Sequence, residues 1–148
     1  VTDESLKLDN QLCFALYACS REITKLYKPE LDKLGITYTQ YIALLVLWEK
    51  DNITVKEIGI KLHLDSGTLT PLFKKLECMN LVKRTRDTVD ERNVYITLTP
   101  AGVELKKMAI GIPKEIFCST GLSLENAITL KENVNSLLLN LTSNNKKM

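Results

Sequence analysis

Between Thr54 and Thr99 the spacing of apolar residues changes period, and few folds accommodate that change. Val55, Ile58 and Leu62 recur at helical spacing, and Thr54 with Glu57 three residues on has the pattern of a capping box. Leu64 and Asp65 make a turn. Leu69, Leu72, Phe73, Leu76 and Met79 mark a second helix. Pro71 cannot sit deep in a helix without losing a hydrogen bond. Either the regular helix starts near Thr68 or its first turns are distorted; the first is expected. From Leu81 the period drops to two. Leu81 to Arg86 and Val94 to Leu98 alternate as strands, joined by a charged tip from Asp87 to Asn93. Helix, turn, helix and wing over about 54–99 make a winged helix-turn-helix, a shape that fits duplex DNA.

The flanks read as helices that carry this unit. Asp9 is the expected N-cap of a helix from Asn10 to Tyr27, with Leu12, Leu16, Cys19, Ile23 and Leu26 as its core stripe. A second, less apolar stripe runs beside it: Cys13, Tyr17, Ser20, Thr24 and Tyr27. Pro29 stops or kinks that helix, and Glu30 to Leu34 form a short turn closed by Gly35. Thr37 opens the next helix, through about Lys50, with Tyr41, Leu44, Leu45 and Trp48 on its buried side. Thr99 or Pro100 starts a helix through about Phe117, bent at Pro113. Ser123 caps a last helix whose Leu124, Ile128, Leu130, Val134, Leu138 and Leu141 exceed what a lone surface helix needs. That excess asks for a partner, most simply a second copy. The expected fold is mainly α: one domain over 1–148, with dimerisation helices at about 8–34 and 100–141.

Composition narrows the function classes. With 148 residues, 45% hydrophobic and 26% charged, the chain has enough length for a real core. Its net charge is only +2, so any nucleic-acid surface must be local. The 4 Cys form no CxxC pair and His63 stands alone, so no zinc spacing exists and neither metal nor cofactor is expected. The N-terminal VTDESLKLDN lacks a signal-peptide core, and the longest apolar run, Tyr41 to Trp48, is too short to span a bilayer. The expectation is a cytoplasmic protein with reduced thiols and no membrane association.

The helix opening near Ser66 turns Ser66, Thr68, Thr70, Lys74 and Lys75 away from its apolar side. Short hydroxyls and lysines suit phosphates and base edges in a major groove. The wing adds Lys83, Arg84 and Arg86, and Arg92 sits in its tip, where an arginine can enter a narrow minor groove. Asp90 can hold that guanidinium in a bidentate pair. The plain alternative is a solvated charged hairpin on a helical protein. His63 reads as a surface residue or a phosphate contact.

Four segments together resemble the MarR-type winged-helix repressors, most closely their organic-hydroperoxide-sensing (OhrR-like) branch: LDNQLCFALYACSRE over Leu8 to Glu22, LDKLGITYTQYIALLVLWE over Leu31 to Glu49, LDSGTLTPLFKKLE over Leu64 to Glu77 and DERNVYITLT over Asp90 to Thr99. The resemblance covers nearly the whole chain and fades after about Pro113. It implies a homodimeric, DNA-binding repressor, not an enzyme, in which Cys13 is the thiol that a peroxide oxidises. The residues alone leave Cys13 open between a reactive thiol near a helix N-terminus, an end that favours negative charge, and a small core residue. The resemblance further implies that Tyr27 and Tyr38 stabilise the thiolate. Tyr17, one turn from Cys13, can do so within the chain. Tyr27 lies about 21 Å along the same helix and must come from another subunit. All three tyrosines can equally be core filling. The branch has members with a second, C-terminal thiol, and Cys118 fits that place as a resolving cysteine toward Cys13 of the other chain. Cys19 is expected to pack in the core and Cys78 to be a passive exposed thiol. The rival within the family is a repressor released by a reversible apolar ligand, with Cys13 not required.

Overall fold

The computed structural model describes residues 3–146, which form two compact units divided between Ile112 and Pro113. In the first, a pair of short 3-10 turns, Asp3–Leu6 and Leu8–Asn10, precedes helix α1, Leu12–Leu34. Asp9 is therefore not the N-cap. Gln11 occupies that place without capping through its side chain, which instead donates to the carbonyls of Ser5 and Lys7, each at 2.8 Å. Pro29 neither stops nor divides α1. It costs the bond that the Lys25 carbonyl would have accepted, and both residues are exposed, so water can take the donor's place. The helix ends at Gly35, whose φ of 70° is a left-handed conformation open to glycine, with Ile36 N–H donating to Leu31 C=O at 3.2 Å.

The expected core stripe of α1 is mostly uncovered: Leu12 is 68% exposed, Ile23 and Leu26 are exposed, Cys19 is exposed rather than packed, and Leu16 is half-buried. Burial begins near the C-terminal end, at Leu31. Helix α2, Tyr38–Glu49, is the centre of the core. A capping box between Thr37 and Gln40 starts it, and Tyr41, Ala43, Leu44, Val46 and Leu47 are buried. Leu45 is exposed instead of buried, and Trp48 is half-buried with its indole N–H on the Gly102 carbonyl at 2.9 Å.

Strand β1, Ile53–Thr54, is too short for alternation to reveal, and it was not expected. It pairs antiparallel with β3, Val94–Leu98, which pairs with β2, Val82–Arg86, giving a three-stranded sheet of order β1-β3-β2. Asp51 extends the β1 edge: its Oδ1 accepts the Leu98 N–H at 2.9 Å. The expected capping box of Thr54 and Glu57 opens α3, Val55–Leu62. Gly59 lets the following turn close down, since a Cβ there would stand 2.7 Å from the Leu64 carbonyl oxygen. Helix α4, Ser66–Cys78, starts two residues before the expected point because Asp65 accepts the Thr68 N–H at 2.8 Å; Pro71 then forgoes only the bond to the exposed Gly67. Thr99 caps α5, Pro100–Ala109. The break expected at Pro113 falls at Ile110 and Gly111, ahead of α6, Ile112–Thr120. In the second unit Ser123 caps α7, Leu124–Asn145, as expected, and Leu124, Leu139 and Leu141 are each more than half exposed.

Candidate functional site

Asp65 fixes where α4 begins, and so which hydroxyls lie in its first turns. Ser66 and Thr68 are exposed, Thr70 is half-buried, and Lys74 and Lys75 are exposed, while Leu69, Leu72, Phe73 and Leu76 are buried beneath them. The Asp65 carboxyl is held below the usual carboxylate range, chiefly by the Thr68 backbone N–H. A groove of about 690 Å³ runs between the start of α4, helix α3 and the wing. It brings Ser66 and Thr70 together with Arg92, and it also includes His63 and Lys56. Thr68, Lys74, Lys75, Arg84, Arg86 and Asp90 lie outside its lining. Lys56 was not foreseen. Its place in the first turn of α3, next to the Thr54 cap, was the available signal. His63 ends α3 in a left-handed conformation, φ 54°, exposed at the rim.

The wing tip is braced from within. Arg92 Nε donates to Asp90 Oδ1 at 3.0 Å and its second guanidinium nitrogen to Oδ2 at 3.0 Å, while the Arg92 backbone N–H donates to Oδ1 at 3.1 Å. The Asp90 carboxyl is thereby held low, first by the Arg92 side chain and then by its backbone. The expected pair is present, and it aims a guanidinium whose side chain is 91% exposed. Arg86 donates to the Glu91 carbonyl at 2.8 Å and remains exposed. Arg84 differs from the others. It is half-buried, with its Nε on Glu77 Oε1 at 3.3 Å.

A different set of side chains lines α1. Cys13, its second residue, is exposed. Tyr17 one turn on is 59% exposed, with the Arg21 guanidinium 5.5 Å from its ring centre. The Tyr27 ring packs at a tilt against Tyr38 of α2, centres 4.9 Å apart, and against Tyr41 at 5.6 Å. Tyr41, expected only as core, thus completes the tyrosine cluster. Burial pushes the Tyr27 hydroxyl up to about 12, with smaller contributions from Tyr38 and Tyr41, so it is a donor at any ordinary pH. Within one chain Cys13 and Tyr27 are not brought together, since α1 is continuous between them and about 1.5 Å is gained per residue. Cys118 is exposed on α6 of the second unit, and Cys78 is exposed at the end of α4.

Comparison with known proteins places these features. Residues 25–108 match the family model described as transcriptional regulator SarA/Rot. The organic hydroperoxide resistance transcriptional regulator of Bacillus subtilis is 54% identical over 129 residues, covering 87% of this chain and 86% of that protein. Among solved structures, reduced AbfR bound to DNA superposes with a TM-score of 0.78 at 37% identity, covering 96% of this chain and 99% of that one. The disulfide form of AbfR, a protein of Staphylococcus epidermidis, gives 0.63 at 38% identity, covering 92% and 96%. The matched proteins are transcriptional regulators and not enzymes.

Proposed function

The chain belongs to the SarA/Rot family of transcriptional regulators, in the organic-hydroperoxide-sensing branch of the MarR-type winged-helix proteins, and on that premise we propose that it is a repressor that binds operator DNA as a reduced homodimer and releases it when a peroxide oxidises Cys13. On this reading the whole chain is one functional domain, working in the cytoplasm. No helix among the described residues is long and apolar enough to cross a membrane. The helices at about 8–34 and 100–141 hold two winged units of about 54–99 apart. Helix α4 enters the major groove with Ser66, Thr68, Thr70, Lys74 and Lys75 toward phosphates and base edges. The wing reaches the minor groove with Arg92, oriented by Asp90, and Arg86 beside it.

One observation carries the redox half. Cys13 stands exposed at the start of α1, and the half-buried phenol suited to donate to its thiolate, Tyr27, lies about 21 Å along the same helix. A sensing site needs both, so it takes Tyr27 and Tyr38 from a second chain whose α1 runs antiparallel to the first. Tyr17 is contributed in cis. The uncovered apolar residues of α1 and α7 supply surface for that second copy.

The thiolate of Cys13 attacks the distal oxygen of a hydroperoxide. The O–O bond breaks, an alcohol leaves after taking up a proton, and Cys13 becomes a sulfenic acid. The Cys118 thiol of the other subunit then attacks that sulfur, forming an S–S bond and releasing water. Two electrons pass from the thiols to the peroxide. The bond moves the winged units out of register with DNA, and each 1.4 kcal/mol of shift costs about tenfold in affinity. AbfR, which has been solved both reduced on DNA and with a disulfide formed, supports the reading by likeness.

A non-reducing gel of peroxide-treated protein tests it. The expected dimer band is present in the wild type and absent from Cys13→Ser and Cys118→Ser. A monomer band in the wild type reduces the mechanism to one thiol. A Cys13→Ser protein that still leaves DNA on peroxide treatment sinks redox sensing and favours release by a reversible apolar ligand.

A further inference from the structure

Four cationic side chains mark strand β2 and the tip of the wing, and one of them is used differently. Lys83, Arg86 and Arg92 are exposed. Arg84 is half-buried, and both its side chain and its backbone engage the same carboxylate on α4: Arg84 N–H donates to Glu77 Oε2 at 2.8 Å, and Nε to Oε1 at 3.3 Å. β2 is an edge strand, so a backbone N–H facing away from β3 has no strand acceptor, and Glu77 supplies one. The carboxyl is held below the usual range, first by that N–H and then by the guanidinium. Leu76, Leu81 and Val82, close along the chain to the pair, are all buried, and the Leu81 N–H donates to the Leu76 carbonyl at 3.0 Å. The contact therefore joins the C-terminal half of the major-groove helix to the strand that leads out to Arg92.

We propose that Glu77 and Arg84 form a strut that sets the distance between the recognition helix and the wing, so that Arg84 is a positioning residue acting through Arg92 and not a phosphate contact. The proposal rests on the DNA-binding reading above. A reader with two prongs gains from the second prong only if the spacing between prongs matches the spacing of the grooves. A wing free to swing must be ordered at binding, and that ordering weakens the complex. The strut also explains an acidic side chain kept close to the DNA-facing elements, where simple electrostatics disfavours it.

The test is duplex affinity over about 50–200 mM salt, using a duplex selected by the wild-type protein from random sequence. Lys74→Gln should lower the slope of log affinity against log salt by about one, as loss of a phosphate contact does. Arg84→Gln should weaken binding about three- to tenfold with the slope unchanged. Glu77→Gln gives the sharper sign: removing a negative charge would tighten binding if only charge mattered, whereas the strut requires weaker binding. It also serves if Arg84→Gln fails to fold, because an amide oxygen can still accept the Arg84 N–H. Both losses should vanish when Arg92 is already alanine, since the strut acts through that residue. The proposal is overturned if Arg84→Gln lowers the salt slope as Lys74→Gln does, if Glu77→Gln binds tighter, or if the losses persist undiminished without Arg92. A wild-type protein that selects no duplex overturns the DNA-binding reading itself, and the strut's role with it.

Discussion

Cys13 and Tyr27 stand on one unbroken helix with about 21 Å of α1 between them, and Tyr27 packs instead at a tilt against Tyr38, ring centres 4.9 Å apart. A site that uses both must be shared between chains. Tyr27→Phe should slow oxidation of Cys13 by about tenfold, the scale of one hydrogen bond to a charged group. Mixed dimers of Tyr27→Phe with Cys13→Ser chains should recover one site of wild-type rate, since each donates what the other lacks. Stopped-flow oxidation of the mixture measures this. A mixture no faster than the Tyr27→Phe homodimer removes the shared site.

The bidentate pair of Asp90 and Arg92 gives a graded expectation. Arg92→Ala should cost about 1–3 kcal/mol of duplex affinity, the range for one specific groove contact. Asp90→Asn keeps the guanidinium but loosens its aim, so it should fall between wild type and Arg92→Ala. Fluorescence anisotropy with a labelled operator duplex reads both. Equal losses in the two variants would mean that Asp90 does more than orient its neighbour.

The raised Tyr27 hydroxyl has a signed pH consequence. Its folded value, about 12, lies above the ordinary 10.0, so the folded chain holds that proton more tightly than the unfolded one does. The corresponding stability is fully present below pH 10 and is lost as pH rises through 12. Absorbance of tyrosinate against pH should show a late-titrating group that Tyr27→Phe removes. Its alkaline unfolding should also begin at higher pH. An unchanged late phase would place the late-titrating phenol elsewhere.

Two glycines should answer alanine oppositely. At Gly59 a Cβ would meet the Leu64 carbonyl at 2.7 Å, and backbone on both sides leaves little room to yield. Gly59→Ala should destabilise by about 1–3 kcal/mol in urea unfolding. At Gly111 nothing lies within 4 Å, so Gly111→Ala should change stability by less than about 0.5 kcal/mol. A neutral Gly59→Ala would show that the turn into α4 is looser than drawn.

The parts of this molecule legible in its sequence are those whose partners lie close along the chain. Thr54 meets Glu57, Ser123 meets Asn126 and Asp90 meets Arg92 within three residues, so type and spacing were enough. The mainly helical fold with its wing follows from such local signals. Periodicity found the apolar stripe of α1 but could not say whose atoms cover it, so Leu12 and Ile23 read as core although this chain leaves them exposed. Pro29 read as a stop or kink and Pro71 as moving the start of its helix to Thr68, because sequence does not reveal that each forgoes a bond to an exposed residue. β1 was invisible because two residues cannot alternate. Arg84 looked like its basic neighbours because Glu77 approaches it only after the chain has turned from α4 into β2.

The continuity of α1 from Cys13 to Tyr27 also makes it a ruler. If Cys13 faces Tyr27 of the partner subunit, identical rods can satisfy both copies only about a twofold axis, and the axis must cross the helix midway, at Ser20. That residue then meets its own copy. A bulky side chain at 20 would therefore wedge the rods apart and stretch both sensing sites at once, with no change near either thiol.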